Sequence, residues 1–183
     1  NGKLSKRDKS GLPMFPLNWH DPRDKADYVG YKESGFFPDA FINMLVLLGW
    51  NPGDNKEIMS KDELIQLFSL ERINKAGAKF DPEKTKWFNQ QYLRKKTDEE
   101  LADIFMPMLK EQGFEVSKDF AVKVCKLVKE KAHFVTEFWS LGSFLFIAPE
   151  TFDAGVLDKR LNPQTHGFIA ELKNALNDVS NFN

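Results

Sequence analysis

A mainly α-helical fold, with short strands at most, is predicted by three features of the sequence. Apolar residues recur at three- and four-residue spacing through most of the chain, and helix-starting residues stand directly ahead of those runs. The alternation that a half-buried strand needs is almost absent from the second half.

Taken in order, residues 1 to about 34 are rich in charge, Gly and Pro and read as a basic loop followed by irregular chain. The first helix follows Phe37-Pro38-Asp39, with Phe41, Leu45 and Leu48 on one stripe and Gly49 as terminator. Beyond the turn at Asn51-Pro52-Gly53-Asp54, Ser60-Lys61-Asp62-Glu63 has the spacing of a capping box, and Leu64, Leu67 and Phe68 form the buried side of a short helix. Asp81-Pro82 is an N-cap with proline at the first helical position, opening a helix that buries Trp87, Phe88 and Tyr92. Short strands fit around Phe36 or near Ala78-Lys79-Phe80. After a composition shift at Arg94-Lys95-Lys96, a second capping box at Thr97-Asp98-Glu99-Glu100 opens a helix with Leu101, Ile104, Phe105 and Leu109 inward. Gly113 ends it. The next helix, from about Asp119 to Lys131, sets Phe120, Val124, Leu127 and Val128 on one side. Helices also fit residues 134–147 and 164–178.

The 183 residues suit one domain, or two small ones in series. With 42% hydrophobic residues and 17 Phe there is material for a core, and 29% charged residues keep it soluble. A net charge of -1 excludes a protein that coats nucleic acid by global charge, so any RNA contact must come from local patches. Cys125 is the only cysteine, which excludes an internal disulfide and a Cys-based zinc site and fits a reducing, cytoplasmic compartment; no metal is expected. The longest apolar stretch, Phe138 to Pro149, is broken by Ser140, Gly142 and Ser143 and is too short to span a membrane. The chain opens on Asn1-Gly2-Lys3 without an initiator Met or a signal-peptide pattern, so both ends read as boundaries inside a longer protein.

One segment carries plausible chemistry. A loop holding Lys3, Lys6 and Arg7 around Ser5 can offset the charge of a polyphosphate; contacts that strengthen as pyrophosphate leaves would lower the barrier to nucleotidyl transfer. By composition alone, the same five residues read more readily as a solvated terminal loop.

Its neighbourhood adds more. Lys3-Leu4-Ser5-Lys6-Arg7 resembles the KMSKS signature of class I aminoacyl-tRNA synthetases, in the form typical of glutamyl-tRNA synthetases. Gly30-Tyr31-Lys32-Glu33-Ser34-Gly35-Phe36-Phe37-Pro38-Asp39-Ala40 is similar to that family's GY-x-E-x-GYLPEA segment. Asn43-Met44-Leu45-Val46-Leu47-Leu48-Gly49-Trp50-Asn51-Pro52-Gly53 is similar to its N-x-LALLGW-x-PG. Phe68-Ser69-Leu70-Glu71-Arg72 and Phe80-Asp81-Pro82-Glu83-Lys84, with Trp87-Phe88-Asn89, continue the series in family order to about residue 94. Beyond it the likeness is one of helical pattern. Two departures stand out: Lys131 occupies a position where the family often has a base-reading arginine, and the segment from Lys9 to Asp27 is longer than in many relatives.

The resemblance implies an ATP-dependent ligase that joins glutamate to its tRNA through an aminoacyl adenylate. It further implies that the Rossmann catalytic domain, with its HIGH signature, is absent here. Lys6, helped by Lys3, Ser5 and Arg7, would contact the phosphates of ATP, which the intact enzyme uses with magnesium. Glutamate and ATP would bind only through the missing half, so no cofactor is expected on the fragment and it is expected to be inactive. Residues 1–94 would be the KMSKS loop and stem-contact domain, and residues 95–183 the first helical anticodon-binding subdomain. For glutamate tRNA the candidates are Arg94, Lys95 and Lys96 at the junction and Lys123, Lys126, Lys129 and Lys131 along one helix, either as phosphate contacts or as a solvated face. A helical protein-interaction module is the rival reading, although it has no reason to keep the basic loop. Trp19-His20-Asp21 reads as loop, and Trp50, Trp87 and Trp139 as core, although an indole can also stack on a base.

Overall fold

The computed structural model describes residues 12–179, except 24, 76 and 79. It divides into two compact units, 1–146 and 147–183. The basic loop at residues 3–7 lies outside the described residues.

The first unit opens with a small antiparallel hairpin, β1 (Trp19–Asp21) and β2 (Ala26–Tyr28), in the register Trp19↔Tyr28, His20↔Asp27, Asp21↔Ala26. It falls at the end of the long segment that runs to Asp27, and among the described residues neither Phe36 nor Ala78 and Phe80 belongs to a strand. Phe36 is instead a buried residue of irregular chain, its ring edge-on to Tyr31 at 4.9 Å. Gly30 closes the hairpin base; a Cβ there would stand 2.1 Å from the Leu17 carbonyl carbon, so only glycine fits.

Helix α1 (Pro38–Gly49) buries Ala40, Asn43 and Met44, while Leu45 is 47% exposed, so the stripe is rotated from the expected one. Helix α2 (Lys61–Leu67) starts on the predicted capping box: the Glu63 N–H donates to Ser60 Oγ at 3.2 Å and the Ser60 N–H to Glu63 Oε2 at 2.7 Å. Its Leu64 is buried, but Leu67 and Phe68 stay largely exposed. Helix α3 (Pro82–Lys95) is capped by Asp81 Oδ1, which accepts from the N–H groups of Glu83 and Lys84.

Helix α4 (Asp98–Glu111) begins on the Thr97–Glu100 capping box. It ends at Gly113, whose φ of +86° lets the Phe114 N–H reach back to the Leu109 carbonyl at 2.9 Å. Helix α5 (Lys118–Val128) stops three residues before Lys131. Its inward residues are Ala121, Val124, Cys125 and Val128; Leu127, expected inside, is 65% exposed, and Phe120 and Ile104 are also exposed. The small side chains let α5 close on Leu101, Ala102, Phe105 and Leu109 of α4, and Phe138 fills the space between, its ring 5.5 Å from that of Phe105. The helix expected over 134–147 is broken into α6 (Phe138–Gly142) flanked by single 3-10 turns. Gly142 lies so close to α5 that a Cβ would sit 3.3 Å from Val128 Cγ1.

The second unit holds α7 (Ala154–Arg160), capped by Asp153, and α8 (Pro163–Asn177). In α8, Phe168, Ile169, Leu172 and Leu176 are exposed. The functional boundary expected at residues 94 and 95 falls inside the first unit, at the end of α3.

Candidate RNA-facing surface

Arg94 and Lys95 lie in the last turn of α3, and Lys126 in that of α5, where helix carbonyls favour cations. The structure brings these two helix ends together: the Arg94 guanidinium reaches across to Glu130, Nε 3.0 Å from its Oε2 and Nη2 donating to its carbonyl at 2.8 Å. The basic junction and the basic helix, separate groups in sequence, therefore form one neighbourhood.

Within it the cations differ. The Lys129 ammonium donates to Asp98 Oδ1 at 2.7 Å and to the Lys96 carbonyl at 3.2 Å, with both side chains of the ion pair about four-fifths covered. It ties the end of α5 to the start of α4 and is already neutralised. Lys96 covers the Phe37 ring at 5.1 Å and stands 3.8 Å from Glu100. Lys95 covers the Tyr92 ring at 5.6 Å and remains exposed. Lys123, Lys126 and Lys131 are exposed, and no carboxylate among the described residues pairs with them. The free positive charge is thus Lys95, Lys123, Lys126 and Lys131. Spacing along the helix could not separate Lys129 from its neighbours, because its partner lies 31 residues away.

Two polar networks support this surface, and neither had a signal in the sequence beyond its residue types. Asn43 Oδ1 accepts from the Met59 N–H at 3.0 Å and lies 2.8 Å from the Tyr92 hydroxyl, which is also 2.5 Å from the Met59 carbonyl. Burial, with Asp39 and Glu63 adding negative charge, pushes the Tyr92 phenol up to about 12. The Cys125 thiol, buried in the core that α5 shares with α4, is pushed up to about 12 by burial and then by Asp98. Asn89 joins α3 to the start of α1 and to the turn that leaves α5. On the exposed side of α2, the hydrogen bond from Lys56, helped by the Ser60 N–H, holds the Glu63 carboxyl down at about 2.

Elsewhere, His20 Nδ1 pairs with Asp27 Oδ1 across the hairpin at 2.8 Å, whereas Asp21 turns inward to the Arg23 guanidinium at 3.1 Å. Adjacent strand residues point to opposite faces, so His20 and Asp21 do not converge. Trp50 is buried, its indole N–H donating to the Ser69 carbonyl at 3.1 Å, and Trp139 packs against the main core. Trp87 is half-buried against Phe88. Among the described residues no three His, Cys, Asp or Glu side chains converge as a metal site. No helix among them is long and apolar enough to cross a membrane.

Comparison with known proteins gives the surface its context. Residues 2–87 match the family model described as tRNA synthetases class I (E and Q), catalytic domain. Along its full length the chain is 48% identical to a glutamate–tRNA ligase of Phocaeicola vulgatus and 50% identical to one of Flavobacterium psychrophilum, spanning 36% of each. A crystal structure of a glutamate tRNA ligase from Elizabethkingia meningosepticum, in complex with its amino acid, superimposes on 98% of the chain with a TM-score of 0.91 and 46% identity. A glutamate-tRNA synthetase structure from Elizabethkingia anophelis does so with a TM-score of 0.88. The chain spans 36% of each of these structures as well.

Proposed function

The chain belongs to the glutamate–tRNA ligases, of which it spans about a third, and on that premise we propose that it is the tRNA-holding portion of such an enzyme. Identity of 46–50% along the whole chain is the observation that carries this reading. In it, Lys95, Lys123, Lys126 and Lys131 hold phosphates of glutamate tRNA. Arg94, Lys96 and Lys129 belong to the same patch, but their charge is spent on Glu130, Glu100 and Asp98, so they shape it more than they bind. Residues 1–94 serve as KMSKS-type loop and stem-contact domain and residues 95–183 as the first helical anticodon-binding subdomain. At the position where an arginine fork would read a base, Lys131 supplies charge alone and contributes affinity without base choice.

The intact protein, in the cytoplasm, would join glutamate to its tRNA with ATP, releasing AMP and pyrophosphate. Lys6, with Lys3, Ser5 and Arg7, would neutralise the phosphates as charge moves onto the leaving pyrophosphate. Magnesium would enter with ATP. The 183 residues alone bind RNA but do not activate glutamate.

A filter-binding titration of the chain with glutamate tRNA across salt concentrations tests the reading. Affinity should fall steeply as salt rises. Absence of binding at low salt would instead favour a helical protein-interaction module.

A further inference from the structure

Asn89 lies in the middle of α3, fully buried, and both ends of its carboxamide are engaged. Its Oδ1 accepts from the Phe37 N–H at 2.8 Å, at the N-cap of α1, where no side-chain cap exists. Its Nδ2 donates to the His133 carbonyl at 2.6 Å, in the turn that leaves α5. The His133 N–H in turn donates to Glu137 Oε2 at 2.7 Å. One amide thus ties together the start of α1, the middle of α3 and the exit of α5, partners 52 and 44 residues away in sequence.

Other contacts cross the same joint, but they differ in kind. The Phe36 and Phe134 rings meet edge-to-face at 4.7 Å, which tolerates sliding. The Arg94–Glu130 pair is solvent-exposed and worth little by itself. The bridging amide is itself buried and its bonds are directional, and losing it leaves the half-buried Phe37 N–H and His133 carbonyl without their side-chain partner.

We propose that Asn89 is a positioning residue for RNA binding: by bridging the Phe37 N–H to the His133 carbonyl, it holds the α5 cations at a fixed offset from the α1–α3 group, so that both regions engage one polyanion as a rigid body. This rests on the proposed RNA-binding function for its consequence, and on geometry alone for the bridge. A rigid joint prepays the ordering cost of a two-point grip, whereas a loose one lowers the effective concentration of the second contact.

The test uses spin labels on cysteines introduced at exposed Asp62 of α2 and Asp119 of α5, with buried Cys125 left unlabelled. Pulsed dipolar spectroscopy should give one narrow distance in the otherwise unaltered chain. Asn89→Ala should broaden it and weaken binding to glutamate tRNA about tenfold, with the salt slope unchanged. Asn89→Asp keeps the shape and the acceptor but, ionised, cannot donate to the His133 carbonyl. Its distance should be broad at neutral pH and narrow again in acid, where the protonated carboxyl donates once more. Facing that carboxyl are His133, whose carbonyl it meets, and Glu137, which accepts from the His133 N–H; the charged groups on neighbouring segments are Lys96, over the Phe37 ring, and the Arg94–Glu130 pair. The unaltered chain is measured at both pH values as control. Acid recovery also shows that the variant folds, which circular dichroism checks independently. Narrow distances in both variants at neutral pH would overturn the proposal, as would a broadened joint with unchanged affinity. If the unaltered chain fails to bind RNA at low salt, the functional reading falls and takes the RNA role of Asn89 with it. Narrow distances in a chain that does bind defeat the Asn89 inference alone.

Discussion

Replacing Lys123 and Lys126 together by glutamine removes two exposed cations from one face of α5, three residues and about 4.5 Å apart along the axis. Neither has a carboxylate partner among the described residues, so neither replacement strands a buried charge, and the fold should be unaffected. If each lysine displaces one counterion from RNA of duplex character, the slope of log affinity against log salt becomes shallower by about 1.8. Between about 50 and 200 mM salt the unaltered chain should therefore lose about twelve times more affinity than the variant. Lys129→Ala is the contrast. Its ammonium is committed to Asp98, so the salt slope should stay as it was, while stability falls by about 1–3 kcal/mol because Asp98 is left largely covered and unpaired. Filter binding reads the slopes, and urea unfolding reads the stability. The division into free and committed lysines is refuted if Lys129→Ala flattens the salt dependence as much as the double variant does.

Three further outcomes are expected. In the intact enzyme, Lys6→Ala should slow adenylate formation by orders of magnitude with unchanged far-ultraviolet circular dichroism, and a near-normal rate would remove Lys6 from the chemistry. Phe138→Ala empties a fully buried site against Phe105 and should cost about 3–5 kcal/mol in urea unfolding, whereas a loss under 1 kcal/mol would contradict the packing described. The Cys125 thiol and Tyr92 phenol both titrate higher in the folded chain than in the unfolded one, so the folded state holds their protons longer. The stability they contribute is complete below the ordinary thiol range and is lost as pH rises toward about 12. The urea midpoint should fall between about pH 8 and pH 11, and fall less in Cys125→Ala.

What could be read from sequence was what is local. Ser60 with Glu63 and Thr97 with Glu100 make their reciprocal bonds within one turn, so residue type and spacing suffice. Gly113 likewise needs only its own backbone conformation. Helix faces were less legible because the partner decides the stripe: with α4 and α5 closing through Ala102, Ala121 and Cys125, the larger Ile104 and Leu127 turn outward. The helix expected over 134–147 failed at Gly142, which sits against Val128, a contact that periodicity does not encode. The three-residue strands of the hairpin are too short to show alternation. In the candidate site, charge was visible and its neutralisation was not, since Glu130 and Asp98 reach Arg94 and Lys129 across 36 and 31 residues.

Lysine footprinting tests the RNA-holding claim most directly. The chain is acetylated with and without glutamate tRNA at low salt, and reactivity is compared residue by residue. Lys95, Lys123, Lys126 and Lys131 should be protected by the RNA, while exposed Lys61, Lys110 and Lys173 react as before. Equal reactivity of the first four with and without tRNA, or protection confined to the other three, would contradict the account.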